Sequence, residues 1–231
     1  MIRLITILCL FTTLASCKIE TKEQNTQTET FSKAKKELTV AEKIAQAHGI
    51  GNWKNVNKID FTFNVDRNDS HFERSWSWQP KNNQVIASTE SDSIVVFNRS
   101  KIDSTTIELD RGFINDKYWL LAPFQLVWDE NTTISNPIKE IAPITKTELN
   151  KITLTYGNKG GYTPGDAYDI YFDKDYIIRE WVFREGNVET PSMITTFENY
   201  DDFNGIKIAK DHKMSDGHFN LYFSSIRVKT D

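Results

Sequence analysis

The side chains best suited to metal or acid–base chemistry in this 231-residue chain are four histidines. They are His48, His71, His212 and His218. None of them is spaced two or four residues from another, although Asp211-His212 and Asp216-Gly217-His218 flank a predicted hairpin turn. A structural or catalytic metal site needs three or four converging ligands. The pattern therefore favours a solvated turn, and the sequence predicts neither a metal site nor a cofactor.

Carboxylates gather near two other turns. Asp201 and Asp202 precede an Asn204-Gly205 turn signal. Four more surround a second turn: Asp166, Asp169, Asp173 and Asp175. A glycosidase needs two carboxyl groups that face each other across a sugar cleft. Aspartate is common in turns because its side chain bonds the nearby backbone, so hydrolysis of a glycan or lipid by these carboxylates is kept only as the alternative hypothesis.

The familiar catalytic motifs are missing from the sequence. There is no G-x-S-x-G elbow, no H-E-x-x-H, no phosphate-binding glycine loop and no dinucleotide fingerprint. The glycines between residues 157 and 165 fall in a predicted hairpin loop rather than before a helix. The sequence therefore predicts no catalytic residue and favours a non-enzymatic protein.

Both cysteines, Cys9 and Cys17, lie in a segment typical of a bacterial secretion signal. Arg3 is followed by an apolar run, Leu4 to Leu14, and then by small residues. The run is too short to cross a bilayer, which takes about 20 apolar residues. The sequence Leu14-Ala15-Ser16-Cys17 resembles the lipobox of bacterial lipoproteins. This resemblance implies cleavage before Cys17 and attachment of lipid, such as palmitate, to that cysteine.

The lipobox divides the chain into three predicted parts. They are a signal peptide at 1–16, the lipidated cysteine and a flexible polar tether at 17–37, and a single domain at 38–231. The tether is rich in Lys, Glu, Thr and Gln, so it buries too little apolar surface to order itself; its reach is about 25 Å. The domain keeps no thiol, which excludes disulfides and thiolate catalysis.

The N-terminal segment also determines the predicted net charge and location of the mature protein. Losing Arg3 with the signal changes the formal net charge from -4 to -5, because no acidic residue precedes Cys17. The basic residues are dispersed, which argues against nucleic acid as a partner and against a polybasic membrane patch. Lys18 follows the cysteine, and in the enterobacterial sorting rule only aspartate there would argue for the inner membrane. We therefore expect a membrane-anchored envelope protein, at the outer membrane rather than the inner one.

The elements that would position a site are mostly strands. Thr39 and Glu42 form a predicted capping box for a short helix, TVAEKIAQAH. After Trp53 the apolar period becomes two, and hairpin signals such as Asn204-Gly205 separate the strands. About 10–11 strands are predicted, more than a flat open sheet usually carries. The fold class is therefore mainly β, a strongly curved antiparallel sheet or incomplete barrel with one or two short helices.

Two segments interrupt the alternation. Residues 115–128, NDKYWLLAPFQLVW, are apolar at successive positions and contain Pro123. We predict a helix over 116–121 and a strand over 125–128. Residues 132–147 contain two prolines and are predicted to be a loop.

Aromatic residues make up 12% of the chain and include six tryptophans. Alternation turns several of them toward the concave side of the predicted sheet. Bulky residues there can fill a core or line a pocket. The sequence leaves both possibilities open.

The order of elements resembles the LolA/LolB-like superfamily of envelope lipoprotein carriers. The resemblance spans about residues 38–229 and is carried by the short helix, the meander, the NDKYWLLAP segment and the stretch TTFENYDDFNGIKIAKDHKM (195–214). It implies a half-barrel whose helices form a lid over an apolar cavity for acyl chains. The implied lining is Phe61, Phe63, Trp76, Trp78, Trp181 and Phe183, with Trp119, Leu120 and Phe124 from the lid.

The resemblance is qualified by the anchor, because LolA itself is soluble and unlipidated. A tethered half-barrel fits local acceptance, as in LolB, or sensing at one membrane better than it fits shuttling. The first hypothesis is therefore a non-catalytic lipoprotein that binds an apolar small molecule or acyl chain. The alternatives are the hydrolase above and a structural or interaction lipoprotein with a filled core.

Overall fold

The structure is a computed structural model, and it describes residues 37–88, 93–159 and 164–231. Residues 37–231 form a compact unit of their own. The predicted signal peptide, Cys17 and the tether up to residue 36 lie outside the described residues. The boundaries proposed around Cys17 therefore stay predictions.

The first helix, α1 (Val40–Ala47), begins at the predicted capping box. The Glu42 backbone N–H donates to Thr39 Oγ1 at 3.2 Å, and the Thr39 N–H donates to Glu42 Oε2 at 2.7 Å. Both bonds satisfy backbone groups at the start of the helix. After the helix, Gly49 has φ +90°, and a Cβ atom there would lie 1.8 Å from the Gly205 carbonyl oxygen. The end of α1 therefore packs directly against a turn that is distant in sequence.

Thirteen strands are present in the described residues. They are β1 (Val56–Arg67), β2 (Ser70–Gln79), β3 (Gln84–Ser88), β4 (Ile94–Asn98), β5 (Thr132–Ile134), β6 (Ile138–Ile141), β7 (Glu148–Tyr156), β8 (Ala167–Phe172), β9 (Ile178–Arg184), β10 (Met193–Thr196), β11 (Glu198–Phe203), β12 (Ile206–Lys213) and β13 (Phe219–Thr230). Short 3-10 helices occur at Ile50–Asn55, Pro80–Asn82 and Glu185–Asn187.

The strands form two antiparallel sheets. The first has the order β11-β12-β13-β1-β2-β3-β4, and the second has the order β10-β9-β8-β7-β5, with β6 also paired to β7. Neighbours in sequence are mostly neighbours in space, as a meander requires. The predicted fold class, a mainly β and strongly curved antiparallel architecture, is confirmed. The loop predicted for residues 132–147 is wrong where β5 and β6 form, because both pair with β7.

The two sheets meet where β10 runs into β11, with Phe197 between them. The Phe197 N–H donates to the Arg179 carbonyl at 2.7 Å in the second sheet. On the other side, His212 Nδ1 lies 3.1 Å from the Thr196 carbonyl oxygen, and the Lys213 N–H donates to Thr196 Oγ1 at 3.1 Å. One bent strand thus belongs to both sheets and makes them a continuous curved surface.

Two helices cover this surface: α2 (Ile107–Leu120) and α3 (Ala122–Trp128). The helix predicted over residues 116–121 is the second half of α2. The strand predicted over 125–128 is wrong, because those residues are helical. Pro123 lies in the first turn of α3, where the missing N–H has no helical partner to lose. No helix in the described residues is both long and apolar enough to cross a bilayer.

Two main apolar clusters fill the space between the sheets and the helices. The larger lies on the first sheet and includes Phe61, Trp76 and Trp78 together with Phe113 of α2. The second lies on the second sheet and includes Tyr168 and Trp181. The aromatic residues therefore divide between two environments, and Tyr168 and Trp181 of the second cluster border a cavity.

Candidate functional site

A cavity of about 1000 Å³ lies between the helices and the inner face of the second sheet. Its lining comes from α2, α3 and strands β7 to β10, together with Arg99 after β4 and loop residues 129–131, 157 and 159. Pockets for small molecules usually occupy about 300–1,000 Å³. The cavity is therefore large enough for a ligand of lipid size, and the helices form one of its walls.

Aromatic rings from α2 and from the second sheet line one continuous part of this cavity. The Trp119 and Trp181 ring centres lie 4.4 Å apart. Tyr168 stacks on Phe183 at 5.0 Å and lies 5.1 Å from Trp181. Tyr118 of α2 lies 5.2 Å from Tyr168. This aromatic wall, defined as Tyr118, Trp119, Tyr168, Trp181 and Phe183, offers a continuous apolar surface with contact energies beyond area burial alone.

Three tyrosines of the cavity lining have phenol groups that stay neutral. Tyr156 Oη lies 2.5 Å from Asp129 Oδ2 and 3.0 Å from Tyr118 Oη. Burial raises the pKa of Tyr118, Tyr156 and Tyr168 above the ordinary value. These phenols therefore act as hydrogen-bond donors and acceptors at pH 7 and do not supply a phenolate base.

Basic residues also line the cavity. Lys117 of α2 is half-buried, and burial lowers the pKa of its ammonium to about 8. Arg99 also lines the cavity and forms an ion pair with buried Asp110, with Nε 2.7 Å from Oδ1. The cavity thus combines an aromatic wall with cationic groups that differ in how well they are paired.

Two buried N–H donors belong to residues of the lining. Gln125 Nε2 and Trp181 Nε1 have no hydrogen-bond partner within the described residues. Gln125 is only 1% exposed. Buried donors are nearly always bonded in folded proteins, but neither nitrogen has surface exposed to the cavity, so neither is available to a ligand in this conformation.

The nine residues that the LolA-like resemblance implied as lining fall into two groups. Trp119, Trp181 and Phe183 line the cavity. The other six pack in the core of the first sheet: Phe61, Phe63, Trp76, Trp78, Leu120 and Phe124. Phe113 of α2 explains this, because its ring lies 5.5 Å from Trp76 and 5.4 Å from Trp78 and covers that part of the concave face.

Several lining residues were missed from sequence, namely Lys117, Tyr118, Gln125, Tyr156, Tyr168 and Met193. Tyr156 and Tyr168 lie on strands in which apolar and polar residues alternate. Once the inner face of the sheet is known, this alternation predicts that both side chains point inward. The side chains of α2 and α3 were not readable in the same way. Residues 115–128 have apolar side chains at successive positions, and this pattern gives no clear helical phase from which to choose the side that faces the cavity.

The histidines do not form a metal site. Within the described residues, no group of three or more His, Cys, Asp or Glu side chains could hold a metal ion. His71 is exposed and contacts Asp66 at 2.7 Å. The solvated turn predicted around His212 is wrong for that residue, which is fully buried among aromatic rings. His218 is exposed, as that prediction requires.

The turn carboxylates have structural partners. Asp201 pairs with Lys210 at 2.5 Å, and Asp202 accepts the Gly205 N–H at 2.7 Å. In the second group, Asp173 accepts backbone N–H groups at its own turn and contacts Arg179. Asp169 contacts Arg184 at 3.0 Å. None of these aspartates lines the cavity.

No protein-family model matches the chain, and no curated protein is a significant match. Solved structures do match. A LolA superfamily protein from Nitrosomonas europaea aligns with a TM-score of 0.51 and 11% identity, over 83% of this chain and 93% of that one. The fold is therefore LolA-like, as the order of elements in the sequence indicated. At this identity the likeness concerns the fold alone.

Two further structures align at lower scores. A DUF1329 family protein from Desulfovibrio piger gives a TM-score of 0.46 at 9% identity, over 82% of this chain and 90% of that one. A domain assigned to outer membrane lipoprotein sorting, from Vibrio parahaemolyticus, gives 0.44 at 11% identity, over 82% and 94%.

Proposed function

We propose that this protein is a non-catalytic envelope lipoprotein that binds an apolar ligand, such as an acyl chain, in the cavity beneath α2 and α3. The observation that carries the proposal is the aromatic wall, which borders about 1000 Å³ of space instead of closing upon itself. A LolA-like fold agrees with it. A structural lipoprotein with a filled core would not need this space.

The expected driving force is burial of apolar surface. Each methylene that leaves water contributes about 0.8 kcal/mol, so ten of them contribute about 8 kcal/mol. Association itself costs about 4 kcal/mol or more. A chain of about 12 carbons is therefore long enough for measurable binding if most of it enters the cavity.

The proposal includes the anchor and excludes catalysis. Lipid on Cys17 and the polar tether would hold the domain at one membrane, the outer membrane by the Lys18 argument. The ligand would then be accepted or sensed locally. The hydrolase alternative gains no support from the site, because its turn carboxylates are paired or bonded to backbone away from the cavity.

The direct test uses residues 37–231 without the preceding segment, since they form a compact unit. Methyl dodecanoate, a neutral acyl probe, should displace N-phenyl-1-naphthylamine from the protein and appear as a bound mass in native mass spectrometry. Met193 is half-buried in the lining. Met193→Trp should weaken methyl dodecanoate binding by about tenfold, because lost room for two methylenes is about 1.6 kcal/mol.

Val188→Trp is the matched control, since it adds the same ring at a side chain that is 53% exposed and outside the lining. Its affinity for the ester should equal that of the parent. Equal losses in both variants, or no binding of the ester to the parent protein, would contradict the proposed function.

A further inference from the structure

The residues that line the cavity are apolar where they are deeply buried and charged where they lie nearer to solvent. Tyr168 and Trp181 of the aromatic wall are buried, at 6% and 2% exposure. The charged lining residues are half-buried or exposed. They are Arg99, Arg111, Lys117, Lys159, Asp129 and Glu130, so basic groups outnumber acidic ones. This arrangement suits a ligand with an apolar part inside and a charged part nearer to solvent.

Lys117 is distinct among these cations, because Arg99 and Arg111 are ion-paired and Lys159 is exposed. Arg99 and Arg111 are each paired with a carboxylate, at 2.7 Å from Asp110 and 2.8 Å from Glu108. Lys117 forms no ion pair within 4.0 Å among the described residues, although it is half-buried on the helix wall of the cavity. Its ammonium has therefore lost part of its hydration without gaining an anionic partner in contact.

The surroundings of this ammonium make its charge costly. Burial is the largest effect that lowers its pKa, and Arg99 lowers it further, whereas Asp129 and Asp110 act in the opposite direction. Its Nζ lies 5.9 Å from the centre of the Trp128 ring, a weak cation–π contact. A bound anion would offset the lost hydration through a charge-assisted hydrogen bond.

We propose that the ligand is an amphiphile with an anionic head group, and that Lys117 receives this head group while the chain lies along the aromatic wall. The inference rests on the proposed function and specifies its ligand. A carboxylate and a phosphate share the required chemistry. The experiment therefore includes both head groups.

The test compares four probes with the same 12-carbon chain: dodecanoate, dodecyl phosphate, methyl dodecanoate and dodecyltrimethylammonium. At pH 7 at least one anionic probe should bind about tenfold more tightly than the methyl ester, since a hydrogen bond to a charged group is worth about 1.5–3 kcal/mol, a factor of about 10 or more. A preference for dodecanoate indicates a fatty acid, and a preference for dodecyl phosphate indicates a phosphate head group. The cationic probe should bind most weakly.

Lys117→Met keeps an unbranched side chain that is one atom shorter and removes its charge. It should abolish the preference for the anionic probe and leave the affinity for methyl dodecanoate within about twofold, which also shows that the variant is folded. Lys174→Met is the matched control, because that side chain is 90% exposed and outside the cavity. It should retain the preference.

The outcomes separate the two proposals. If the methyl ester binds as tightly as both anions, or if Lys117→Met retains the preference, the anionic head group is wrong while acyl binding stands. If no probe binds the parent protein, both proposals are wrong. As a further readout, binding of the preferred anion near pH 8.5 should take up protons, because the anion raises the pKa of Lys117; Lys117→Met should lose this uptake.

Discussion

The imidazole of His212 is fully buried where the two sheets meet α2. Its ring centre lies 4.4 Å from that of Phe197 and 5.3 Å from that of Trp119. Nδ1 lies 3.1 Å from the Thr196 carbonyl oxygen, so this nitrogen carries the proton and donates it. Burial lowers the pKa of His212 to about 3. The ring is therefore neutral at pH 7, and protonation would place a charge among aromatic rings.

We expect acid to destabilise the protein through its buried histidines. Burial lowers the pKa of His48 to about 4 and that of His212 to about 3, whereas an unfolded histidine titrates near 6.5. The unfolded chain binds protons first, so this stability is complete above about pH 6.5 and is lost as the pH falls toward 4. Each histidine should remove about 2–3 kcal/mol from the free energy of unfolding between pH 7 and pH 4.5; urea unfolding at both pH values measures this.

His212→Asn separates this effect from the titration of carboxylates. Asparagine keeps an N–H donor for Thr196 and cannot be protonated, so the variant should be less stable at pH 7 but lose less stability on acidification. His218→Asn, at an exposed position, should behave like the parent. A parental pH dependence in His212→Asn would show that the buried ring is not responsible.

His212 also shows what sequence can say about a single residue. The neighbouring aspartates and Gly217 predicted a solvated turn, and this holds for exposed His218. It fails for His212 because the residue lies inside β12, where alternation decides burial. Lys117 and Gln125 were missed for a different reason. From the sequence alone, polar residues in a short helical segment cannot be assigned to a cavity. Their position in the lining becomes clear only when the packing of the helices against the sheet is known.

The segment from residue 107 to residue 128 forms two helices where sequence predicted one helix and a strand. The first half of α2 was not predicted, because residues 107–114 mix polar and apolar types without a clear apolar face. In α3, Pro123 was taken as an interruption, although proline is well tolerated in a first helical turn. The sequence therefore identified the segment that carries the LolA-like resemblance. Its secondary structure was predicted only in part, because that structure depends on packing against the sheets.

The element α2 is attached to β2 by a buried ion pair. Asp116 is fully buried, and its carboxylate receives Arg74 Nε at 2.5 Å, Arg74 Nη2 at 2.6 Å and Trp76 Nε1 at 2.7 Å. Burial raises the pKa of Asp116, while Arg74 acts to lower it. Gly112 permits the close approach, since a Cβ atom there would lie 2.8 Å from Arg74 Nη1.

Loss of this pair should be costly because it leaves a buried group without its partner. We expect Asp116→Ala to lower the free energy of unfolding by about 3–5 kcal/mol, as measured by urea denaturation at pH 7. Glu108→Ala on the same helix is the control, because its pair with Arg111 is exposed and such pairs contribute about 1 kcal/mol or less. Similar losses in the two variants would show that the buried pair does not hold α2.

At the scale of the whole molecule, alternation predicted the meander because each strand has one buried face. The bend at Phe197 was not predicted, since residues 193–203 look like one strand in sequence and change sheets only in three dimensions. The position of the cavity was likewise not predicted from the sequence. Its location on the second sheet depends on Phe113, which covers the first, and no local pattern reports such a contact between distant elements.

The predicted lipid anchor at Cys17 concerns the whole molecule, and Cys17 lies outside the described residues. A single acyl chain binds membranes only marginally, whereas two lipid signals give stable anchoring. We expect Cys17→Ser, which lacks the thiol needed for a thioether, to abolish labelling by a palmitate analogue and to release the full chain from membranes after fractionation. Cys9→Ser, in the predicted signal peptide, should leave both unchanged. If Cys17→Ser remains labelled and membrane-bound, the half-barrel is not tethered through this residue, and local acceptance of an amphiphile loses its main argument over shuttling.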